Sequence, residues 1–279
     1  MIYIEPTAGL GNRLRAVLSA YQIAMQYEQE LCIVWNEDSA LGARFEDLFH
    51  NPKGIKVIEV SNRSVKKDPV RRILGDWKKK KLIARCVQIP VYDDGCAPET
   101  YVPMHALLQE CVEKQKDIYI SAWCQFEKLT QIPQKFREIF VPCAQVEERG
   151  RSVFEQIDGH TYGVHIRRTD HADAIAHSPL QAFVERMREV MEQDEHATFY
   201  CATDDETVKT FLQERIAVER LFFYENKDYS RQSKCGGQDA LVEMLALSRC
   251  CKILGSYESS YSQLAAAIGD VELEVIEKR

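Results

Sequence analysis

The chain has 279 residues, of which 45% are hydrophobic and 28% charged, and its formal net charge is −7. This composition is typical of a soluble globular protein and excludes a disordered or collagen-like chain. The acidic balance argues against general nucleic-acid binding, which favours a basic domain. No apolar run approaches the roughly 18 residues that a membrane-spanning helix requires.

The chain begins with a strand-like segment, Ile2–Glu5, rather than with a charged leader and a long apolar stretch. We therefore expect a cytoplasmic protein. The ten cysteines include no Cys-x-x-Cys pair, and several lie in apolar runs. These patterns predict buried, reduced thiols.

Short apolar runs alternate with helical patterns along the chain. Three- and four-residue spacing of apolar residues predicts helices over 14–24, 180–190 and 241–248, and a polar helix is predicted near Val146–Gln156. The predicted strands are Ile2–Glu5, Leu31–Trp35, Lys56–Val60, Ile118–Trp123, Tyr162–Arg167, Thr198–Ala202, Leu221–Tyr224, Lys252–Gly255 and Glu272–Ile276. This alternation predicts an α/β fold with parallel sheets covered by helices.

The middle of the chain is less regular, and we predict a domain boundary near residue 145. Residues 1–145 would form an N-terminal α/β domain and residues 146–279 a C-terminal one. Two Rossmann-like halves of this kind are expected to face a cleft. Ligands would bind there at the carboxyl ends of the strands.

The first strand–helix junction contains Gly9 and Gly11, followed by Asn12 and Arg13. A glycine-containing turn that opens a helix directs backbone N–H groups at an anion. Asn12 adds a neutral donor and acceptor, and Arg13 adds positive charge. Leu14 replaces the third glycine of the dinucleotide fingerprint, so the junction is not that motif. An ordinary tight turn explains the same spacing.

The second junction carries His165, Arg167, Arg168 and Asp170 at the end of a predicted strand. Adjacent arginines at such a position indicate an anionic partner, because buried charge is costly without one. The planar guanidinium binds phosphate through two parallel hydrogen bonds. An internal Arg–Asp network that stabilises the loop is the alternative.

The third junction, residues 203–206, is rich in acids. Thr203 or Asp204 is expected to cap the following helix, and Asp205 and Glu206 suit the dipole of its first turn. Asp204 is equally well suited to orienting the arginines.

The fourth region combines Glu243, in an apolar helical stretch, with Ser259 and Ser260, which open a helix after a strand. The serines and the helix N-terminus predict a second anion site, with simple N-capping by Ser259 as the alternative. Glu243 needs a partner, and the adjacent N1–H and N2–H₂ donors of guanine suit a carboxylate.

No two aspartates lie two positions apart, so the chain has no Asp-x-Asp pair of the kind that holds a nucleotide-bound cation in many glycosyltransferases. We therefore predict no metal site and expect arginines and helix ends to meet the phosphate charge.

These regions together resemble the fucosyltransferase superfamily. The resemblance rests on residues 9–14 (Gly-Leu-Gly-Asn-Arg-Leu), 165–170 (His-Ile-Arg-Arg-Thr-Asp), 202–205 (Ala-Thr-Asp-Asp), and Leu247-Ser with 259–261 (Ser-Ser-Tyr). The superfamily includes core α1,6-, nodulation, α1,2- and protein O-fucosyltransferases. The resemblance covers most of residues 155–268 and the first twenty residues. It implies a GT-B-like fold, GDP-fucose bound mainly by the C-terminal half, and a metal-independent, inverting transfer.

By position, the resemblance assigns Arg167 to the β-phosphate, where it would support the leaving group. Arg168 and Asp170 would position that loop, Ser260 would contact the pyrophosphate, and Asn12 would lie near the phosphate and the sugar. These assignments agree with charge developing on the β-phosphate as the bond to the sugar breaks.

The resemblance also assigns His165 to the guanosine and Glu243 to the guanine base. The core α1,6 enzymes have a glutamate shortly after the two arginines, and this chain has none there. Asp173 is our candidate for the general base, with His171 and His177 behind it.

A basic stretch runs from Arg63 to Arg85, with ten basic and two acidic residues. It is densest at Lys78–Lys81, beside Trp77. The stretch is either a solvated helix face or a surface for anionic lipid or a lipid-linked acceptor. The second alternative predicts peripheral contact with the inner membrane.

We therefore predict a bacterial-type glycosyltransferase of polysaccharide biosynthesis. It would move fucose from GDP-fucose, its donor substrate, to a hydroxyl of a glycan or a lipid-linked saccharide, without a cofactor and without nucleic acid as a partner. The alternatives are a protein that binds GDP or a GDP-sugar without transferase activity, and a transferase for another GDP-sugar.

Overall fold

The computed structural model describes residues 1–61, 77–89, 91, 98–169, 172–225 and 228–278. The chain divides into two compact units. Unit 1 comprises Met1–Cys143 and Ser230–Gln238, and unit 2 comprises Ala144–Tyr229 and Asp239–Arg279. The predicted boundary near residue 145 lies close to the first change of unit, after Cys143. The prediction did not include the short segment Ser230–Gln238, which belongs to unit 1.

The sheet of unit 1 has five parallel strands in the order β3-β2-β1-β5-β4. Its strands are β1 (Ile2–Pro6), β2 (Leu31–Glu37), β3 (Lys56–Ser61), β4 (Val87–Ile89) and β5 (Ile118–Ala122). The helices are α1 (Leu10–Gln26), α2 (Phe45–Leu48), α3 (described over 77–83), α4 (Pro98–Glu113) and α5 (Ile132–Ile139).

The sheet of unit 2 also has five parallel strands, in the order β10-β9-β6-β7-β8. They are β6 (Thr161–Ile166), β7 (Thr198–Thr203), β8 (Leu221–Phe223), β9 (Lys252–Ser256) and β10 (Glu272–Ile276). The helices are α6 (Ala144–Phe154), α7 (Ala172–His177), α8 (Leu180–Gln193), α9 (Glu206–Gln213), α10 (Lys234–Leu247, which begins in the unit 1 segment) and α11 (Ser260–Gly269), with a 3₁₀ turn at Val218–Arg220.

The core of unit 2 explains why its central strands, β6 and β7, are buried along nearly their whole length. Val164 and Ile166 of β6 and Phe199 of β7 are buried, and they pack with Phe183 and Met187 of α8. Neighbouring strand residues that point to the other face, such as Tyr200, are buried as well. A parallel sheet covered on both faces requires this continuous burial.

The predicted α/β fold is confirmed, and each of the nine predicted strands is present with its ends within two residues of the prediction. The prediction missed β4, a strand of three residues, and began helix α10 too late. Most described cysteines are buried, as expected, but Cys235 and Cys251 are exposed. Within the described residues, no helix is both long enough and apolar enough to span a membrane.

Candidate functional site

The strand order of unit 2 reverses direction at β6. The chain runs from β6 through β7 to β8 on one side and then returns to β9 on the other. Open parallel sheets bind ligands at the carboxyl ends of the strands at such a switch point. Here the residues that follow β6 and β9 are Arg167–Thr169 and Tyr257–Ser260, and Asp204 follows β7.

Ser256 links the ends of β6 and β9. Its Oγ donates to the carbonyl of His165 at 3.2 Å and accepts the backbone N–H of Arg167 at 3.0 Å. Only 1% of the residue is exposed. The hydroxyl therefore fixes the backbone on both sides of Ile166.

His165 is held by the segment that follows β9. The imidazole is 8% exposed, its Nδ1 lies 3.3 Å from the Ser259 Oγ, and its ring stacks on Tyr261 with 4.9 Å between centroids. Ser259 occupies the N-cap position of α11 but makes no side-chain cap hydrogen bond. The N-capping alternative for Ser259 is therefore wrong. Ser260 lies half-buried in the first turn of α11.

The two adjacent arginines differ in their surroundings. The Arg168 guanidinium donates from Nη2 to the Ser178 carbonyl at 2.6 Å and from Nη1 to the Arg167 carbonyl at 3.2 Å. Burial lowers the pKa of Arg168, while Asp204 and Asp205 act in the opposite direction. Arg168 thus holds the loop, and Arg167 beside it is half-buried at the end of the strand.

Asp204 orders the same loop through its backbone. Its carboxylate accepts the N–H of Arg168 at 2.7 Å, and it accepts the N–H and the hydroxyl of Thr169 at 3.3 and 2.7 Å. It bonds to backbone N–H groups rather than to a guanidinium. The expected cap at Thr203 or Asp204 is wrong, because Asp205 caps α9 by accepting the N–H of Thr207 at 2.9 Å.

Asp173, the candidate base, is exposed in the first turn of α7. His177 ends that helix, is also exposed, and stacks on Tyr257 with 4.5 Å between ring centroids. Asp170 and His171 lie outside the described residues.

Glu243 lies on α10 and is 6% exposed. Burial raises the pKa of Tyr200 and of Tyr261 well above the usual range for tyrosine. The negative charge of Glu243 is the second cause for both residues. The Tyr261 hydroxyl donates to the carbonyl of Ala240. Tyr261, on which His165 stacks, therefore contacts the helix that carries Glu243.

The sheet of unit 1 has its own switch point, between β1 and β5. The N–H of Thr7 donates to the Ala122 carbonyl at 2.9 Å, and Trp123, directly after β5, is exposed. The left-handed residue of the turn is Ala8, with φ of 65°, and not a glycine. Gly9 is extended at the N-cap of α1, and apart from its chain neighbours no described atom lies within 4 Å of where a Cβ would stand.

Gly11 and Arg13 are buried within α1 instead of lying in the turn. Arg13 donates from Nε to the Ala8 carbonyl at 2.7 Å, from Nη2 to Asp38 at 2.8 Å, and from Nη1 to the carbonyl of Asn36. Its expected contact with a ligand is not supported, because these protein groups surround the guanidinium. Asn12, which is half-buried, accepts from the Arg15 guanidinium at 2.9 Å.

The described end of the basic stretch, 77–85, is divided between two environments. Lys79 pairs with the buried carboxylate of Glu5, which also accepts from the Tyr119 hydroxyl at 2.6 Å. Lys78, Lys80 and Lys81 are exposed, as is Trp77. Residues 63–76 lie outside the described part of the chain.

Ser178 and Ser256, which the sequence did not point to, support the unit 2 site, as does Tyr261, which lies in the 259–261 motif but was given no role. The pairing of β6 with β9 places Ser256 beside Arg167, and nothing in the local sequence indicates that pairing. Among the residues that the structure describes, no group of three or more histidine, cysteine, aspartate or glutamate side chains is arranged to hold a metal ion.

Known structures with a similar fold include fucosyltransferases. NodZ α1,6-fucosyltransferase soaked with GDP-fucose, an enzyme also solved from Bradyrhizobium, has a TM-score of 0.59 and 16% identity over 96% of this chain and 92% of that chain. A point mutant of Arabidopsis thaliana FUT1 with GDP has a TM-score of 0.63 and 15% identity over 100% and 70%. POFUT1 with GDP has a TM-score of 0.61 and 13% identity over 99% and 97%.

The chain shares its overall α/β fold with these solved fucosyltransferases. At these identities the similarity concerns the fold, and it agrees with the GT-B-like α/β fold that the sequence resemblance implies. No protein-family model and no curated protein sequence matches the chain.

Proposed function

We propose that the chain is a glycosyltransferase that transfers fucose from GDP-fucose, with inversion and without a metal, to a hydroxyl of a glycan or lipid-linked saccharide. The observation that carries this proposal is the arrangement of His165 and Arg167 at the switch point of the unit 2 sheet. It is supported by a fold shared with fucosyltransferases whose structures contain GDP or GDP-fucose.

Arg167 would bind the β-phosphate of the donor. When the acceptor hydroxyl attacks the anomeric carbon, GDP leaves and negative charge develops on that phosphate. A fixed guanidinium stabilises this charge more in the transition state than in the bound donor. The N-terminal N–H groups of α11, with Ser260, would hold the pyrophosphate. Arg168, Asp170 and Asp204 would keep the loop in place.

The guanosine would lie near His165, whose ring is already oriented by Ser259 and stacked on Tyr261. Glu243 would accept hydrogen bonds from N1–H and N2–H₂ of guanine. Uracil lacks this pair of adjacent donors, so the site would select guanine over uracil.

The acceptor would bind to unit 1. The turn at Gly9 leaves open space at the N-terminus of α1, Asn12 lies in the first turn, and Trp123 offers an exposed ring at the neighbouring strand end. Asp173 would accept the proton of the attacking hydroxyl, because it is an exposed carboxylate shortly after the two arginines.

The experiment is a thermal-shift titration with GDP. We expect GDP to raise the melting temperature of the wild type, because a ligand that binds only the folded state stabilises it. Arg167→Ala should lose most of this shift, and Arg188→Ala, an exposed arginine on α8, should keep it. No shift at millimolar GDP in the wild type would contradict the proposal.

A donor comparison then separates the transferase from its alternatives. GDP-fucose should compete for the site better than GDP-mannose, and UDP-sugars should not compete. Slow release of free fucose from GDP-fucose would distinguish an enzyme from a protein that only binds the nucleotide sugar.

The exposed residues Trp77, Lys78, Lys80 and Lys81 would contact anionic headgroups at the inner membrane, which suits a lipid-linked acceptor in polysaccharide biosynthesis. The enzyme would then be cytoplasmic and peripheral. Lys79 would not take part, because it pairs with Glu5.

A further inference from the structure

We infer that Ser256 is a positioning residue for the donor phosphate site, because its hydroxyl fixes the backbone from which Arg167 extends. This inference rests on the proposed function, in which Arg167 binds the β-phosphate. Ser256 itself would not touch the donor.

The register of the central strands determines which group the Arg167 backbone contacts on the β9 side. The parallel pairing of β6 with β9 ends at His165 and Gly255, whereas β6 continues to pair with β7 through Ile166 and Thr203. On the β9 side, Arg167 is thus beyond the last paired residue of the ladder. At this position the Arg167 N–H donates to the Ser256 hydroxyl and not to a backbone carbonyl of β9.

The Ser256 hydroxyl forms hydrogen bonds with the backbone of both residues that flank Ile166. It accepts the Arg167 N–H at 3.0 Å and donates to the His165 carbonyl at 3.2 Å. Because Ser256 is buried, water does not replace these bonds at low cost when the hydroxyl is removed. The two residues on either side of Ile166, one assigned to the guanosine and one to the phosphate, are thereby held at a fixed separation.

A fixed separation matters because phosphate recognition by a guanidinium depends on direction as well as distance. A shift of about 1 Å in a positioning group is enough to reduce catalysis strongly. Removing the Ser256 hydroxyl should therefore weaken the β-phosphate contact while the remaining nucleotide contacts persist.

Unit 1 offers a matched control in Ser19. This buried serine also donates to a carbonyl, that of Arg15 at 3.0 Å, and accepts a backbone N–H, that of Phe126 at 3.2 Å. Ser19→Ala and Ser256→Ala therefore remove the same pair of bonds from buried positions. Only one of the two serines holds the backbone of Arg167.

The experiment measures the dissociation constants of GDP and GMP by calorimetry. Because GMP lacks the β-phosphate, the dissociation constant of GMP divided by that of GDP measures how strongly the β-phosphate is recognised. We expect Ser256→Ala to lower this ratio about tenfold, and Ser256→Thr, which keeps the hydroxyl, to restore it. Ser19→Ala should leave the ratio unchanged. Ser256→Cys, similar in size with a weak hydrogen-bonding thiol, should also lower it and serves if the alanine variant does not fold.

Three results would overturn the inference: a wild-type ratio in Ser256→Ala and Ser256→Cys, an equal loss in Ser19→Ala, or no recovery in Ser256→Thr. In each case the wild type would still prefer GDP, and the proposed function would stand. A wild-type protein that binds GDP no better than GMP would instead refute the β-phosphate role of Arg167 and, with it, this inference.

Discussion

The Asp204 carboxylate, at the end of β7, accepts the backbone N–H of Arg168, at the end of β6, at 2.7 Å. With the two bonds from Thr169, this carboxylate determines the path of the loop that carries the two arginines. The side chains of the loop are therefore oriented by contacts to its backbone.

Asp204→Ala should lower the free energy of unfolding by about 2 kcal/mol, since it removes hydrogen bonds to a charged acceptor. It should also weaken GDP binding, because the loop loses its anchor. Asp205→Ala is the control: it removes the α9 cap at a cost of about 1 kcal/mol and should leave GDP affinity unchanged. Urea denaturation and calorimetry test both variants. Equal GDP affinity in Asp204→Ala and wild type would contradict the assigned role.

Arg13→Met should destabilise the protein by about 3 kcal/mol. The substitution leaves Asp38 without its buried partner and leaves the carbonyls of Ala8 and Asn36 without their donor. Arg188→Met, at an exposed position, should change the unfolding free energy by less than about 0.5 kcal/mol. A comparable, small effect of both substitutions in urea denaturation would show that Arg13 does not stabilise the turn.

Glu274 predicts a pH dependence of stability. It accepts from Arg186 Nε at 2.6 Å, Arg186 Nη2 at 3.0 Å and Lys252 Nζ at 2.9 Å. Burial acts to raise the pKa of Glu274, but these bonds and charges lower it overall. The stabilisation is therefore complete above the unfolded pKa of about 4.3 and is lost as the pH falls through the folded pKa.

Glu274→Gln should accordingly show a smaller loss of unfolding free energy between about pH 5 and pH 3 than the wild type. Glu155→Gln, at an exposed position on the surface, is the control and should follow the wild-type curve. If the Glu274→Gln curve also parallels the wild type, the ion pairs with Arg186 and Lys252 do not contribute to acid sensitivity.

Replacing Lys78, Lys80 and Lys81 by glutamine should reduce binding to vesicles that contain anionic lipid, at about 1 kcal/mol per lysine near the surface. The control replaces Lys53, Lys116 and Lys128, which are also exposed, and so changes the net charge equally. Sedimentation with the vesicles measures the bound fraction. Equal losses in both triple variants would indicate general charge attraction and reject a defined lipid surface.

The central strands were predictable from sequence because both faces of the sheet are covered there, so that β6 and β7 are mostly apolar and almost fully buried. β4 was missed because a strand of three residues is too short to carry a periodic signal. The carboxyl-end position of His165 and Arg167 also followed from local sequence, since a polar segment directly after a buried strand lies at the edge of the sheet.

Contacts between distant parts of the chain could not be predicted. The Ser256 bonds depend on which strand pairs with β6, and the role of Ser259 depends on the position of the His165 ring. Both are tertiary properties. The burial of Arg13 was missed for the same reason: its partner Asp38 comes from the end of another strand.

Ala8 shows a separate consequence of that burial. A left-handed alanine is unfavourable by about 1–2 kcal/mol, and the Arg13 guanidinium holds its carbonyl at 2.7 Å. The Arg13 side chain therefore stabilises the left-handed conformation of a residue five positions earlier in the chain. In this turn the arginine of the Gly-x-Gly-Asn-Arg sequence therefore determines the backbone conformation as well as the local charge.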